Sequence, residues 1–148
     1  MAGICRVGSD AAAIPLPDAS CDAMSLHCSF EHFEGTADSG FVREASRLLK
    51  PGGVGCIIPL YLSNTYQIVS NPRYWFKEGI PRESGATIVV SRNYWERHGR
   101  FYDAVTLQKR VLRPMRDAGL NVEILQVALP PEIDYPSFAL LRFTKPEP

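Results

Sequence analysis

Apolar residues at Phe41, Val42, Ala45, Leu48 and Leu49 recur at helical spacing, which places all five on one face of a helix. That face must be buried against another element. Pro51 disfavours helical geometry at Lys50, and Gly52 or Gly53 suits a left-handed turn, so the pattern predicts a helix end here. Val54 to Leu60 then forms a continuous apolar run, which predicts a strand covered on both faces. Helix, tight turn and covered strand make one αβ step of a mostly parallel sheet. Upstream, Gly3 to Val7 and Cys21 to Cys28 read as two strands, with Pro15 and Pro17 limiting any helix between them to about one turn. Ser29 to Ser39 reads as a loop.

Past Leu60 the periodicity loosens into an insertion spanning about 61–100, where Tyr61, Tyr66, Tyr74, Trp75, Phe76, Tyr94 and Trp95 are interleaved with Pro and Gly. Within it, Ala86 to Val90 has the residue types of a strand. Aromatic side chains on a loop-rich insertion suit a lid or substrate pocket, for which Tyr61, Tyr66, Trp75, Tyr94 and Trp95 are the candidates; they equally suit a satellite core, and the two readings are compatible. Helical spacing returns with Val105, Leu107, Val111, Leu112, Met115 and Ala118, closed by Gly119 and interrupted by Pro114, which predicts a kink near Arg113. Asn121 to Leu129 and Ser137 to Thr144 read as a final antiparallel pair, joined through a turn before Tyr135.

Composition narrows the class. A chain of 148 residues with 45% hydrophobic content suits a single α/β domain. Sixteen basic residues balance sixteen acidic ones, so charge predicts neither nucleic acid nor an anionic membrane as partner and favours a small molecule or a protein. No apolar run approaches a membrane span, and a cytoplasmic location is the expectation. Cys5, Cys21, Cys28 and Cys56 show no metal-ligand spacing and read as reduced, buried thiols; no metal site is expected.

Three stretches, in order, carry a family resemblance. Gly8-Ser9-Asp10-Ala11 followed by Ile14-Pro15-Leu16-Pro17-Asp18 and Cys21-Asp22-Ala23-Met24 is the first; Glu31-His32-Phe33 is the second; Glu44-Ala45-Ser46-Arg47-Leu48-Leu49-Lys50-Pro51-Gly52-Gly53 is the third. Together they resemble the C-terminal portion of a class I S-adenosylmethionine-dependent methyltransferase of the type 11, ubiquinone-biosynthesis-like group. The resemblance implies a partial Rossmann-like sheet, mostly parallel with one antiparallel strand near its C-terminal edge. Its strand order would be 3-2-1-4-5-7-6, with Cys21 to Cys28 fourth and Val54 to Leu60 fifth.

The same resemblance implies S-adenosylmethionine as cofactor and a small-molecule methyl acceptor. Asp10 corresponds to the residue that accepts a hydrogen bond from the adenine amino group, Ala11 to the adenine edge, and Leu26 and His27 to the strand end that meets the methionine moiety. His27 and His32 are the candidate proton acceptors, since imidazole titrates near neutrality. Taken alone, Asp10 also suits a turn, His27 a strand end, and Glu31 and His32 the shaping of a loop and the cap of a helix. No G-x-G follows an apolar strand, so the family's Gly-rich cofactor turn is absent from the sequence. A truncated domain with an open strand edge is thus expected to form a homodimer or to pair with a chain carrying the Gly-rich half. Three classes follow: a methyltransferase, a ligand-binding module without the cofactor, and an associating subunit that binds neither.

Overall fold

The computed structural model describes residues 8–128, 130 and 138–148. The expected strand Gly3 to Val7, with Cys5, and the turn before Tyr135 lie outside the described residues. The elements run β1 (Cys21–His27), a 3-10 turn (Phe30–His32), α1 (Ala37–Leu48), β2 (Leu49–Tyr61), β3 (Gln67–Ser70), a 3-10 turn (Pro72–Tyr74), α2 (Trp75–Glu78), β4 (Thr87–Val90) and β5 (Gly99–Phe101). A broken helix follows, made of α3 (Ala104–Leu107), a π segment (Gln108–Leu112) and α4 (Arg113–Asp117), then β6 (Asn121–Gln126) and β7 (Phe138–Thr144).

The main sheet has the order β1-β2-β7-β6. β1 and β2 are parallel, and β7 is antiparallel to both β2 and β6, so a single reversed strand lies beside the β6 edge of an otherwise parallel sheet. This is the α/β, partial Rossmann-like architecture the sequence implied, in the order of the family's last four strands.

α1 and β2 meet sooner than the apolar spacing suggested. Leu49 is already extended, and β2 runs from it without a separate turn. The Lys50 to Gly53 segment is instead a bulge: Cys21 pairs with Leu49, while Ala23 pairs with Val54. Gly52, at φ 77°, supplies its left-handed residue, and its N–H donates to the Lys145 carbonyl at 2.9 Å.

A second difference concerns cover. Along β2, Gly53, Gly55, Ile57 and Pro59 are buried, while the intervening Val54, Cys56 and Ile58 are only partly so. The strand is therefore covered on one face, not both. α1 and the broken helix supply that cover: Phe41, Val42, Ala45, Val111 and Met115 pack with Ile57, Leu141 and Phe143 in one core. Gly55 is required there, because a Cβ at its position would lie 2.2 Å from the Phe143 ring. The opposite face, with Val54, Cys56 and Leu140, borders a hollow of about 540 Å³. The thiols are accordingly not buried: Cys28 is exposed, and Cys21 and Cys56, on the edge strand and the open face, are half-buried.

The irregularity expected at Pro114 appears one turn earlier, as the π segment. Pro114 has no N–H for the carbonyl of Arg110, four residues back, and the Ser39 hydroxyl of α1 donates to that carbonyl at 3.0 Å. The insertion is more regular than its composition suggested. β3, β4 and β5 form a second sheet of order β4-β3-β5, in which β4 is the strand anticipated at Ala86 to Val90.

Candidate functional site

The insertion is fastened to the main layer by a buried charge network. Arg100 of β5, fully buried, lies 2.9 Å from the Asp38 carboxylate in the first turn of α1 and pairs on its other side with Glu83. Asp38 also accepts from Tyr102 Oη at 2.8 Å and from Arg110 Nε at 2.7 Å. Glu83 accepts from the Tyr66 hydroxyl and lies 3.4 Å from His98 Nε2. Two guanidinium groups thus face two carboxylates, with Tyr66, Tyr102 and His98 also bonded to those carboxylates, while Arg100 Nε and His98 Nδ1 have no hydrogen-bond partner among the described residues.

The titrations follow. Burial disfavours the Glu83 anion, but hydrogen bonds from His98, Tyr66 and Arg100 outweigh it and hold the carboxyl down at about 2. Burial and the Glu83 hydrogen bond push the Tyr66 phenol up to about 12. Burial, then the Asp38 charge, likewise raises Tyr102 above the usual phenol range.

Where this insertion meets the carboxyl ends of β1 and β2 there is a cavity of about 320 Å³. Open α/β sheets bind ligands at this end of their strands. Cys28, in a left-handed conformation at φ 48°, ends β1 while its N–H still donates to the Ile58 carbonyl at 2.9 Å. The chain then turns through Phe30, whose buried ring stacks on Tyr102 and meets Phe41 edge-on, each 6.1 Å away. Phe30 anchors the turn, and its neighbours Glu31 and His32 line the cavity beside Tyr61 of β2. Val69, Glu96, Gly99 and Phe101 form the insertion's wall, with Phe101 stacked 4.8 Å from Tyr61.

His32 is oriented by its surroundings. Nδ1 lies 2.5 Å from the carbonyl oxygen of His98; a carbonyl only accepts, so Nδ1 carries the hydrogen. Nε2 lies 3.9 Å from Glu31 Oε1, and Glu96 Oε1 lies 3.6 Å from Nδ1. Glu31 Oε2 and Glu96 Oε1 are buried without a hydrogen-bond partner among the described residues. His98 joins the two systems: its carbonyl holds His32 and its imidazole reaches Glu83.

The other sequence candidates are spread around the fold. Asp10 is exposed, with Oδ1 accepting from the Ala12 N–H at 2.8 Å. Its loop is clasped to α1: Glu44 accepts from Ile14 N at 2.9 Å, and Arg47, 2.8 Å from Glu44, donates to the Ile14 and Leu16 carbonyls at 2.8 and 2.7 Å. Ala11 packs against the core, as does Leu26 on the covered face of β1. His27 pairs with Ile58 and is exposed, outside the cavity lining.

Of the aromatic candidates, Tyr61 lines the cavity and Tyr66 belongs to the charge network. Trp75 donates from Nε1 to Ser70 Oγ at 3.0 Å and borders a smaller hollow of about 160 Å³ with His98. Tyr94 and Trp95 are exposed and stand edge to face, with the Arg73 guanidinium 3.4 Å from the Tyr94 ring centre. The cavity thus brings together His32 and Tyr61. Sequence reading passed over Glu96 and Phe101 as site residues, and the Asp38, Glu83, Arg100 and Arg110 network entirely. Their spacing carries no signal, since only the fold joins them. Glu31 had one, its place beside His32 in the Glu-His-Phe stretch.

Known proteins place this architecture. Residues 4–57 match the family described as methyltransferase domain. No curated protein matches significantly. Among solved structures, an S-adenosylmethionine-dependent methyltransferase from Methanosarcina mazei is similar over 95% of this chain and 66% of its own, at TM-score 0.57 and 14% identity. The Burkholderia thailandensis 1,6-didemethyltoxoflavin-N1-methyltransferase, with 1,6-didemethyltoxoflavin and S-adenosylhomocysteine bound, is similar over 95% of this chain and 50% of its own, at TM-score 0.59 and 14% identity. The [4+2]-cyclase SpnF is similar over 95% and 56%, at TM-score 0.52 and 20% identity. The chain spans less than two thirds of the length of each of these proteins, and over that span it has the class I S-adenosylmethionine-dependent methyltransferase fold.

Proposed function

We propose that this chain is the acceptor-side part of an S-adenosylmethionine-dependent methyltransferase, acting on a small molecule held in the cavity at the ends of β1 and β2. The observation that carries this reading is His32, held through Nδ1 by the His98 carbonyl in a cavity lined by the stacked rings of Tyr61 and Phe101. The residues available to the cofactor fit it in part. Asp10 presents an exposed carboxylate oriented by the Ala12 amide, suited to an adenine amino group. Leu26 and His27 end an edge strand whose outer backbone has no neighbouring strand among the described residues, suited to the methionine moiety.

When bound, the cofactor supplies an electrophilic methyl group. His32 Nε2 takes the acceptor's proton, and the Tyr61 and Phe101 walls exclude water and align the acceptor. No G-x-G follows an apolar strand within these 148 residues, so on their own they bind the cofactor weakly and have little activity; a segment carrying that turn, or a second copy, completes the site. A cytoplasmic location suits such a pairing.

The second reading is a non-catalytic ligand-binding or subunit module. It is favoured by the absence, within these residues, of a G-x-G after an apolar strand. Calorimetric titration of the purified chain with S-adenosylmethionine separates the two. Saturable binding, even if weak, that is lost in Asp10→Ala supports the methyltransferase; binding of an apolar ligand with no cofactor binding supports the module.

A further inference from the structure

The cavity's electrostatics reach beyond methyl transfer to the kind of acceptor it takes. Glu31 is 8% exposed, and among the described residues its Oε2 faces no donor. Glu96, across His32, likewise has a buried oxygen without a partner. A buried carboxylate oxygen left unpaired is costly, and native structures rarely leave one so unless water, an ion or a ligand supplies the donor.

Among the described residues, no lysine or arginine lines this cavity. The nearby guanidinium groups are engaged elsewhere: Arg97 with Glu34 at 3.1 Å and Glu78 at 2.9 Å, and Arg100 and Arg110 with Asp38 at 2.9 and 2.7 Å. His32 is the remaining nitrogen base, and its Nδ1–H is committed to the His98 carbonyl. The rest of the lining is Val69, Gly99, the rings of Tyr61 and Phe101, and the Cys28 thiol. At about 320 Å³ the space suits one ring with a short side chain.

We propose that the acceptor is an amine carried on a single apolar or aromatic ring and recognised in its protonated form, its ammonium hydrogens donated to Glu31 and Glu96 and its ring set against Tyr61 and Phe101; one of those protons leaves before the nitrogen lone pair takes a methyl group. A carboxylate would be repelled from the same place. A neutral alcohol would offer one hydrogen to two waiting oxygens. This inference rests on the cavity being the acceptor site, but it concerns recognition alone and is tested without the cofactor.

Calorimetry of the purified chain at neutral pH with phenethylamine, phenethyl alcohol and phenylacetate makes that test. Phenethylamine is expected to bind at least about tenfold tighter than phenethyl alcohol, with phenylacetate weakest. Glu31→Gln and Glu96→Gln keep shape while removing charge. Each is expected to remove most of the amine's advantage and leave the alcohol's affinity unchanged, whereas Glu78→Gln, outside the cavity, leaves both unchanged. Circular dichroism of each variant checks the fold. Equal binding of amine and alcohol, absence of amine binding at millimolar concentration, or an advantage that survives both substitutions overturns the proposal. None of these results depends on S-adenosylmethionine, so the methyltransferase reading stands or falls separately.

Discussion

His32 Nδ1 and the carbonyl oxygen of His98 are 2.5 Å apart, across 66 residues of sequence. This contact ties the turn after β1 to the entrance of β5. If Nε2 takes the acceptor proton, His32→Phe in the assembled enzyme lowers the methyl-transfer rate about 100-fold. Cofactor affinity is expected to stay unchanged, since the cavity that holds His32 is lined by neither Asp10, Leu26 nor His27. A single-turnover assay beside a cofactor titration checks both. Loss of cofactor binding in the variant would assign His32 a different role.

Glu83 gives the fold a sensitivity to acid. Its carboxyl falls from an ordinary 4.5 to about 2 on folding, because His98, Tyr66 and Arg100 donate to the anion. A depressed acid stabilises the fold fully above its unfolded value and loses that contribution as pH falls through the folded one. Stability should therefore drop between pH 4.5 and about 2, and Glu83→Gln should flatten that limb while lowering stability at neutral pH. Tyr66 has the opposite sign. Raised from 10 to about 12, it contributes below pH 10 and is lost as pH rises through about 12. Urea denaturation across pH, on the chain and on Glu83→Gln and Tyr66→Phe, measures both limbs.

What the sequence disclosed depended on whether a feature repeats along the chain. The apolar spacing of Phe41 to Leu49 and the run Val54 to Leu60 announced α1 and β2, because burial of one face forces a period. The run did not disclose that only one face would be covered. Val54, Cys56 and Ile58 are as apolar as a doubly covered strand requires, and what packs on them is a tertiary matter. The three-residue β5, Gly-Arg-Phe, has no period to read. Arg100 within it would pass for a surface residue by type, since burial of its charge depends on Asp38, 62 positions earlier, and on Glu83. Tyr61 and His32 were legible as site candidates from residue type. Glu96 was not, because its meaning comes from the unpaired oxygen that the fold creates.

Gly40 governs how the Asp10 loop sits on α1. A Cβ at Gly40 would lie 2.5 Å from Ala12 Cβ, closer than real Cβ atoms come. Gly40→Ala gains helix propensity yet forces the loop away, and a net destabilisation of about 1–3 kcal/mol is expected. Because Asp10 is oriented through the Ala12 amide, cofactor affinity should fall with it. The double variant Gly40→Ala with Ala12→Gly removes the clashing atom and should recover most of both losses. Thermal melts and cofactor titration of the single and double variants decide the matter; a double variant no better than the single one would mean that the contact is not the cause.

β1 is an outer strand of the main sheet, with β2 on one side and no strand on the other among the described residues. Beside it, Ala23, Val54, Cys56, Leu125 and Leu140 line the uncovered hollow, where the polar contact is the Arg142 to Glu123 ion pair at 2.9 Å. An unprotected edge continuous with an apolar face favours pairing, because association satisfies backbone groups and removes apolar area from water in one step. In solution the chain should run at twice its 16.5 kDa mass or more by light scattering, and dilution should dissociate it. Ala23→Lys places a charge on this face opposite Val54 without touching the helix-covered core, and should shift the equilibrium to monomer. Leu125→Lys, at the far side of the same hollow, distinguishes the two surfaces: it weakens a dimer built on the face and spares one built on the β1 edge alone. A wild-type chain that remains monomeric at high micromolar concentration would show that neither surface drives self-association, and would direct attention to a separate partner carrying the Gly-rich half.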